Sequence, residues 1–565
     1  MNFRRVPEMQ TIPSDVDLLV LGAGAGGMTA ALSAAILGLD VVLIEKAETV
    51  GGTTARSAGS VWVPNSRHDK TADNRAQALR YLQGTVGNRL RSEMADAFLD
   101  HAPRMVDFLE ANSDVRFQAY PHHPDYAPGV GGSTKSGRVL EPLPFDARVL
   151  GRDFASLSAP LPEFTVFGGM MVDRTDIGHL LGATRSLGSF NHAAHMLVRH
   201  GADRLRHQRG TRLVMGNALA GRLFYSLKRR NVPVLTATQV INLIEDNGRI
   251  TGARLQSGSG TAIVRCRRGV VLATGGLSRN PELRRRLLPG LGAHSPVAEG
   301  ATGDGFALAA KAGGHLGANH ANNAFWTPVS VSKRSDGSTA VFPHLVLDRG
   351  KPGVIAVDAT GKRFVSEATN YHAFVEAMLA AGTGPCHLVC DDAFIAKYGL
   401  GMVRPRSMNL RKAIADGYVT RAPRLIELAA ALRIDANGLT ETVARHNSFT
   451  TTGVDLDFAK GSDVYQRNLG DADHTPNPCI GPISTPPFYA VQLHASELGA
   501  SAGLVTNEFA QVQRSDGSPI PGLYACGNDM DSMMAGTYPG PGITLGPAMT
   551  FGFIAAHHAA QSALP

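Results

Sequence analysis

The feature that most constrains this 565-residue chain is a cluster of glycines set between an apolar run and a helical one. Asp15 to Val20 reads as a strand, and Gly22, Ala23, Gly24, Ala25, Gly26 and Gly27 follow as a tight turn. Met28 to Gly38 is alanine-rich and helical, and Val41 to Ile44 is a second apolar strand that ends in Glu45. A strand, glycine turn, helix and strand within about thirty residues form the βαβ unit that cradles a dinucleotide. Gly22 makes the turn, Gly24 lets backbone approach a pyrophosphate, and Gly27 lets helix pack on strand. The helix N-terminus then faces the phosphate charge. Glu45 stands where an acidic side chain accepts bonds from an adenosine ribose, which favours a cofactor without a 2′-phosphate. Ala25, Gly26 and Lys46 complete this first set of cofactor residues. The implied fold class is α/β, α+β overall, with a Rossmann-like cofactor domain.

A chain this long exceeds what one core usually supports, so two or more domains are expected. Hydrophobic residues at 43% and charged residues at 18% exclude disorder, and the 63 glycines follow no collagen period. Glycines or charges break the longest apolar runs, and Met1 to Ser14 lacks a signal-peptide core, so a non-secreted protein without a spanning helix is expected. The net charge of +7 is spread over a chain with only two tryptophans, which argues against nucleic acid as a partner. Five cysteines, an odd number, argue for a reducing compartment. Cys386, His387 and Cys390 lack a second pair at zinc-like spacing, so no metal site is expected.

Further segments follow in order. Gly51 to Ser60 is a small, hydroxyl-rich loop containing Gly52, Thr53, Thr54, Ser57, Ala58 and Gly59. Val232 to Thr238 and Arg249 to Leu255 read as strands, the second a hairpin partner after the turn Asn247, Gly248. Gly269 to Gly276 reads as a buried strand ending in a glycine turn, with Ala273, Thr274 and Gly275 at its end. Thr302, Gly303, Asp304 and Gly305 precede an alanine-rich helix. From Phe306 to Pro487 the chain mixes strands such as Val354 to Asp358 with helices such as Ala373 to Ala381. Pro521 to Asn528 is another strand ending in a turn, and a glycine-rich loop leads to the helix Gly546 to Ala560.

The N-terminal block and this order of segments resemble the flavoprotein family of fumarate reductases and 3-ketosteroid dehydrogenases. The resemblance implies FAD, held by the residues above together with Val240, Gly527, Asn528, Gly542, Thr544 and Leu545. It implies noncovalent attachment, because Gly51 to Trp62 has no histidine of the kind that tethers flavin in some relatives. It also implies a discontinuous FAD domain, 1–305 and 488–565, around an α+β capping domain, 306–487.

The run Gly536 to Ala548 resembles the active-site loop of 3-ketosteroid 1-dehydrogenases. There the equivalents of the Tyr538 hydroxyl and the Gly542 N–H donate to the 3-keto oxygen, an oxyanion hole for the enolate. The resemblance makes Tyr371 the base at carbon 2 and Tyr126 its relay, with Tyr120 the near alternative, while flavin takes hydride from carbon 1. A tyrosine of ordinary pKa near 10 needs help to act as a base at neutral pH. His372 and Ala373 stand where a carboxylate is expected, and His494 to Gly499 departs from the family's glycine-containing form. These departures bear on substrate identity. The implied partners are a steroid or similar hydrophobic cyclic ketone and an external electron acceptor such as a quinone, placing the protein in steroid degradation.

Alternatives built on the same residues are an enone or fumarate-type reductase, a dehydrogenase of another cyclic ketone, and a flavin-binding module without catalysis. The motifs of fumarate reductases are not found around Arg363, Arg404 or Arg406. An insert at about 150–215 alternates apolar pieces with Arg152, Arg174, Arg185, Arg199, Arg204, Arg206, Arg209 and Arg212. It reads either as a solvated helical excursion or subunit contact, or as a peripheral contact with an anionic membrane; a cytoplasmic protein is expected, at the inner face of the membrane in the latter case.

Overall fold

The computed structural model describes residues 12–562 apart from Ser259 and Thr383. Most of the segment Met1 to Ser14 therefore lies outside the described residues. β1 (Asp15–Leu21) pairs in parallel with β2 (Val41–Ile44) on one side and with β3 (Gly260–Leu272) on the other. Val234–Leu235 extends the sheet beyond β2, and Pro519–Ala525 lies parallel to the end of β3. The helix α1 (Ala25–Ile36) covers this parallel core and is buried along most of its length. Strands buried on both faces have no polar side to alternate with, hence the unbroken apolar runs of β1 and β2.

The antiparallel edge departs from the sequence reading. The partner of Arg249–Ser257 across the Asn247, Gly248 turn is Gln239–Asp246, not Val232 to Thr238. Ala237 takes a left-handed conformation (φ 50°), so the parallel strand stops at Leu235 and the chain restarts in a new direction at Gln239. β3 also begins nine residues before the expected Gly269, and it changes neighbours along its length. Residues 260–265 pair with Arg249–Ser257, and Val270–Leu272 pair with Leu523–Ala525. Gly269 sits at the changeover, where a Cβ would lie 2.4 Å from the Gly522 carbonyl oxygen.

A second, six-stranded sheet is built around β4 (Phe488–Ala500), which pairs with Ala324–Lys333, Cys386–Asp391 and Thr420–Ala422. Phe488–Ala500 thus shares its sheet with strands from 324–422. Helix α2 (Tyr371–Ala381) packs on Ala324–Lys333. It starts two residues before the expected Ala373, because the Asn370 side chain caps it by accepting from the Ala373 N–H. The C-terminal helix α3 (Leu545–Gln561) returns to the first sheet and crosses α1. A Cβ on Gly552 would lie 2.5 Å from the Gly26 carbonyl oxygen, so glycine sets how closely the two helices approach.

The insert folds as short 3-10 turns, a small hairpin (Thr165–Val166 with Met170–Met171) and the helices Arg174–Leu181 and Leu187–Arg204. Several of its arginines serve the fold: Arg199 pairs with Asp146, Arg212 with Asp173 and Asp176, and Arg209 bonds Asn217. Its exposed apolar side chains include Phe167, Leu181, Leu187, Phe190, Val198 and Leu205. Among the described residues no helix is long and apolar enough to cross a membrane.

Candidate active site

One cavity of about 1510 Å³ takes its walls from both sheets, the insert and the C-terminal loop. It is lined by every residue assigned above to cofactor or chemistry except Gly27. Gly27 has the structural task its motif gives it, since a Cβ there would lie 1.9 Å from the Gly22 carbonyl oxygen. Gly22 (φ 103°) is fixed the same way, with a Cβ position 2.1 Å from the Ala273 oxygen. Gly24 is different. Its backbone is extended (φ −78°, ψ −178°) and nothing lies closer to a built Cβ than Thr54 Oγ1 at 4.0 Å. Neither conformation nor packing demands glycine there, and the space it leaves belongs to the cavity.

Glu45 accepts from the Ala23 N–H (2.8 Å) and the Ala47 N–H (2.9 Å), which orient its carboxylate, while burial holds its pKa above the usual carboxylate range. Lys46 pairs with Asp304 at 2.7 Å, joining the first turn to the second. The hydroxyls of the 51–60 loop are largely committed to the fold. Thr54 accepts from Ala25 N–H, Thr53 accepts from Ala298 N–H, and Ser57 donates to the Thr54 carbonyl oxygen.

Tyr126, Tyr371 and Tyr538 meet in the same cavity. Tyr371 stands edge-on to both others, with ring centroids 5.5 Å from Tyr126 and 5.1 Å from Tyr538, and those two stack at 5.5 Å. Burial, reinforced by neighbouring phenols, pushes Tyr126 and Tyr371 well above the ordinary phenol value. Burial raises Tyr538 to about 12, against a lowering from its hydroxyl neighbours. Tyr120 also lines the cavity but lies beneath the Arg174 guanidinium at 3.8 Å, away from this trio.

The trio is held by contacts distant in sequence. Tyr126 N–H and the Tyr81 hydroxyl both donate to the Pro539 carbonyl oxygen, at 2.8 and 2.5 Å. Gly542 (φ 92°) lies on the strand Val61–Trp62, where a Cβ would come within 2.6 Å of Ser60 O and 2.7 Å of Trp62 N. Its carbonyl oxygen accepts from the Trp62 and Gly546 N–H groups, while its own N–H finds no acceptor among the described residues. Tyr371 heads α2, behind a buried ionic knot. Arg363 bonds both oxygens of Glu367 and both of Asp455, and Lys460 pairs with Glu367 at 3.0 Å.

Sequence reasoning missed several residues whose partners lie far along the chain. Asp529 is buried and accepts from Thr274 N–H, Gly276 N–H and the Thr274 hydroxyl, fixing the turn after β3. Tyr465 packs on Tyr126 with centroids 4.7 Å apart. His372 accepts the Trp326 N–H at 3.0 Å, and burial lowers its pKa to about 4, so the residue after Tyr371 is neutral. In the segment 494–499, Glu497 is buried against Arg284 at 2.5 Å, and Leu498 lines the cavity. Cys386 and Cys390 share a buried strand in which burial raises both thiols.

The FAD binding domain family matches residues 17–545. The chain is 37% identical to 4-oxocyclohex-2-ene-1-carboxylate 5-dehydrogenase of Sinomonas cyclohexanicum, over 99% of this chain and 95% of that one. It is 35% identical to 3-oxosteroid 1-dehydrogenase of Mycobacterium tuberculosis, over 97% and 99%. The crystal structure of 3-ketosteroid delta1-dehydrogenase from Sterolibacterium denitrificans in complex with 1,4-androstadiene-3,17-dione superposes with a TM-score of 0.90 at 34% identity, covering 97% of this chain and all of that one. The chain belongs to the FAD-dependent 3-ketosteroid 1-dehydrogenase family.

As a member of this flavoprotein family it is an oxidoreductase acting on CH–CH groups, and its cofactor is FAD. The cavity fits that cofactor on its own terms: the open face of Gly24 lies at the N-terminus of α1, where a pyrophosphate is favoured, and Glu45 lies at the end of β2. Replacing Gly24 by Val tests the fit. Apoprotein stability in urea should shift by no more than about 1 kcal/mol, the scale of an altered helix cap, while the purified protein loses its flavin absorbance. A yellow Gly24→Val protein would place the pyrophosphate elsewhere.

Proposed function

We propose that the protein dehydrogenates a 3-ketosteroid, or a related cyclic ketone, across the carbon 1–carbon 2 bond. The observation that carries this reading is the Gly542 N–H, without an acceptor among the described residues, on a residue that lines the same cavity as Tyr538: two neutral donors suited to one carbonyl oxygen. Tyr538 is protonated across the physiological range, as a donor must be. The substrate's keto oxygen sits between these donors, which stabilise the enolate that forms as the ionised oxygen of Tyr371 takes the proton from carbon 2. Tyr126 hands that proton onward. FAD, bound noncovalently, supplies the hydride acceptor for carbon 1, and an external quinone-like acceptor removes the electrons.

The two sheets divide the labour. Segments 12–305 and 501–562 carry the cofactor, and 306–500 forms the cap, because Phe488–Ala500 belongs to the second sheet. The insert meets a membrane surface through its exposed apolar side chains, since several of its arginines are spent on internal pairs.

Tyr538→Phe should retain FAD and slow anaerobic flavin reduction by about 10²- to 10³-fold, the usual effect of losing one oxyanion donor. Unchanged reduction would remove Tyr538 from the chemistry. For Tyr371 the sign follows from its raised pKa: the ionised base is the minor form at neutral pH and grows as pH rises. Thus kcat/KM should climb through the alkaline range without levelling below about pH 10, the ordinary phenol value. Residual activity of Tyr371→Phe should lack this limb, and a limb retained there would assign the base elsewhere. The protein should float with liposomes, and Phe167→Ser, Leu181→Ser and Leu187→Ser together should abolish flotation. Equal flotation of this variant would refute the membrane contact.

A further inference from the structure

Most cations that line the cavity are paired. Lys46 pairs with Asp304, Arg56 with Glu299, Arg174 with Glu141, and Lys397 with Asp471. The exceptions come from one part of the cap. Arg404 donates through Nη2 to the carbonyl oxygens of Thr165 and Glu163, and its Nε and Nη1 have no partner among the described residues. Lys351 donates to the Gly470 carbonyl oxygen at 2.6 Å and pairs with no carboxylate among the described residues. Arg406, on the same loop as Arg404, is exposed at the cavity and likewise unpaired among them. The Gly401 N–H donates to Asp348 at 3.0 Å, fixing this loop to the 345–351 segment. Leu345, Val346 and Met402 line the cavity from the same two segments and offer apolar surface to a ring.

A half-buried guanidinium with two nitrogens unpaired among the described residues recovers only part of its desolvation cost through Nη2, and burial alone lowers the Arg404 pKa. A carboxylate entering that space would take a forked, charge-assisted pair from it. The donors assigned to the ketone, Tyr538 and Gly542, carry no charge, so the two ends of a substrate would be told apart by charge. We propose that Arg404, with Lys351 and Arg406 on the same wall, receives a carboxylate at the end of the substrate remote from the ketone, making the preferred substrate a cyclic keto acid. This rests on the ring-ketone reading above and adds the substrate's second functional group.

The test compares a 3-keto-4-ene steroid bearing a side-chain carboxylate with its methyl ester, using the FAD-loaded full chain in lipid-free buffer. The readouts are the acid-to-ester ratio of kcat/KM and binding followed through the flavin spectrum. The wild-type protein should favour the acid, and Arg404→Met should lower the ratio by about 10- to 100-fold, the scale of a lost charged hydrogen bond. Arg404→Lys should restore part of it. Should Arg404→Met fail to fold, Lys351→Met and Arg404→Lys carry the same comparison, each lowering the ratio. A structural loss would depress both substrates together and leave the ratio intact, which would overturn the inference, as would a wild-type ratio near one. If neither compound reduces the flavin but the acid binds in an Arg404-dependent way, the carboxylate site stands and the dehydrogenation reading fails. Absence of such binding overturns the site.

Discussion

The contact between Gly542 and the strand Val61–Trp62 is the constraint on which the site depends. It joins parts of the chain some 480 residues apart, and it is close enough that no side chain is tolerated at Gly542. The Gly542 carbonyl oxygen is committed to the Trp62 and Gly546 N–H groups, and its own N–H has no acceptor among the described residues. From Trp62 the constraint spreads: the indole N–H donates to Asp125 at 3.0 Å, and Asp125 is held by Arg138, which Asp73 holds in turn. These charges are buried and mutually satisfied, so removing one partner would strand the others in a low-dielectric interior. Tyr126 follows Asp125 and bonds the Pro539 carbonyl beside Tyr538. One clamp therefore fixes Gly542, the loop that carries Tyr538, and Tyr126.

Tyr371 reaches this cluster from the other sheet and is fixed by a separate device. The Arg363, Glu367, Asp455 and Lys460 knot holds the segment before α2, and the Asn370 cap sets where the helix begins. Tyr371 and the loop of Tyr538 and Gly542 thus come from separate parts of the structure and line one cavity. Lys351, Arg404 and Arg406, which pair with no carboxylate among the described residues, come from chain segments that lie between strands of the second sheet.

The parts of the fold that were legible in the sequence are those written in local pattern. The Gly22 to Glu45 unit declares its strand, turn and helix because each glycine answers a contact within one βαβ unit. A loop motif singles out Tyr538 and Gly542, and a looser one Tyr126, and all three line the cavity. What could not be read depends on distant partners. Asp529 looks like any turn aspartate until β3 is placed beside it, and Trp62 looks like a core residue until the C-terminal loop arrives. The Gln239–Asp246 strand was missed because the left-handed turn at Ala237 has no residue signature: alanine there is held by the surrounding bonds, not by its own preference. Arg363 and Arg404, weighed together in the sequence as arginines without a motif, part company in the structure. Arg363 is buried in a salt-bridge knot, and Arg404 faces the cavity.

In the proposed reaction, a ring ketone held by Tyr538 and Gly542 loses a proton and a hydride from adjacent carbons within this cavity. Anaerobic titration of the yellow holoprotein with a 3-keto-4-ene steroid tests it most directly. The expected result is loss of the flavin band near roughly 450 nm, with one 1,4-diene-3-one formed per flavin reduced. A flavin that stays oxidised with the steroid bound, yet is reoxidised by enones or fumarate once chemically reduced, would contradict it and move the protein to the reductases.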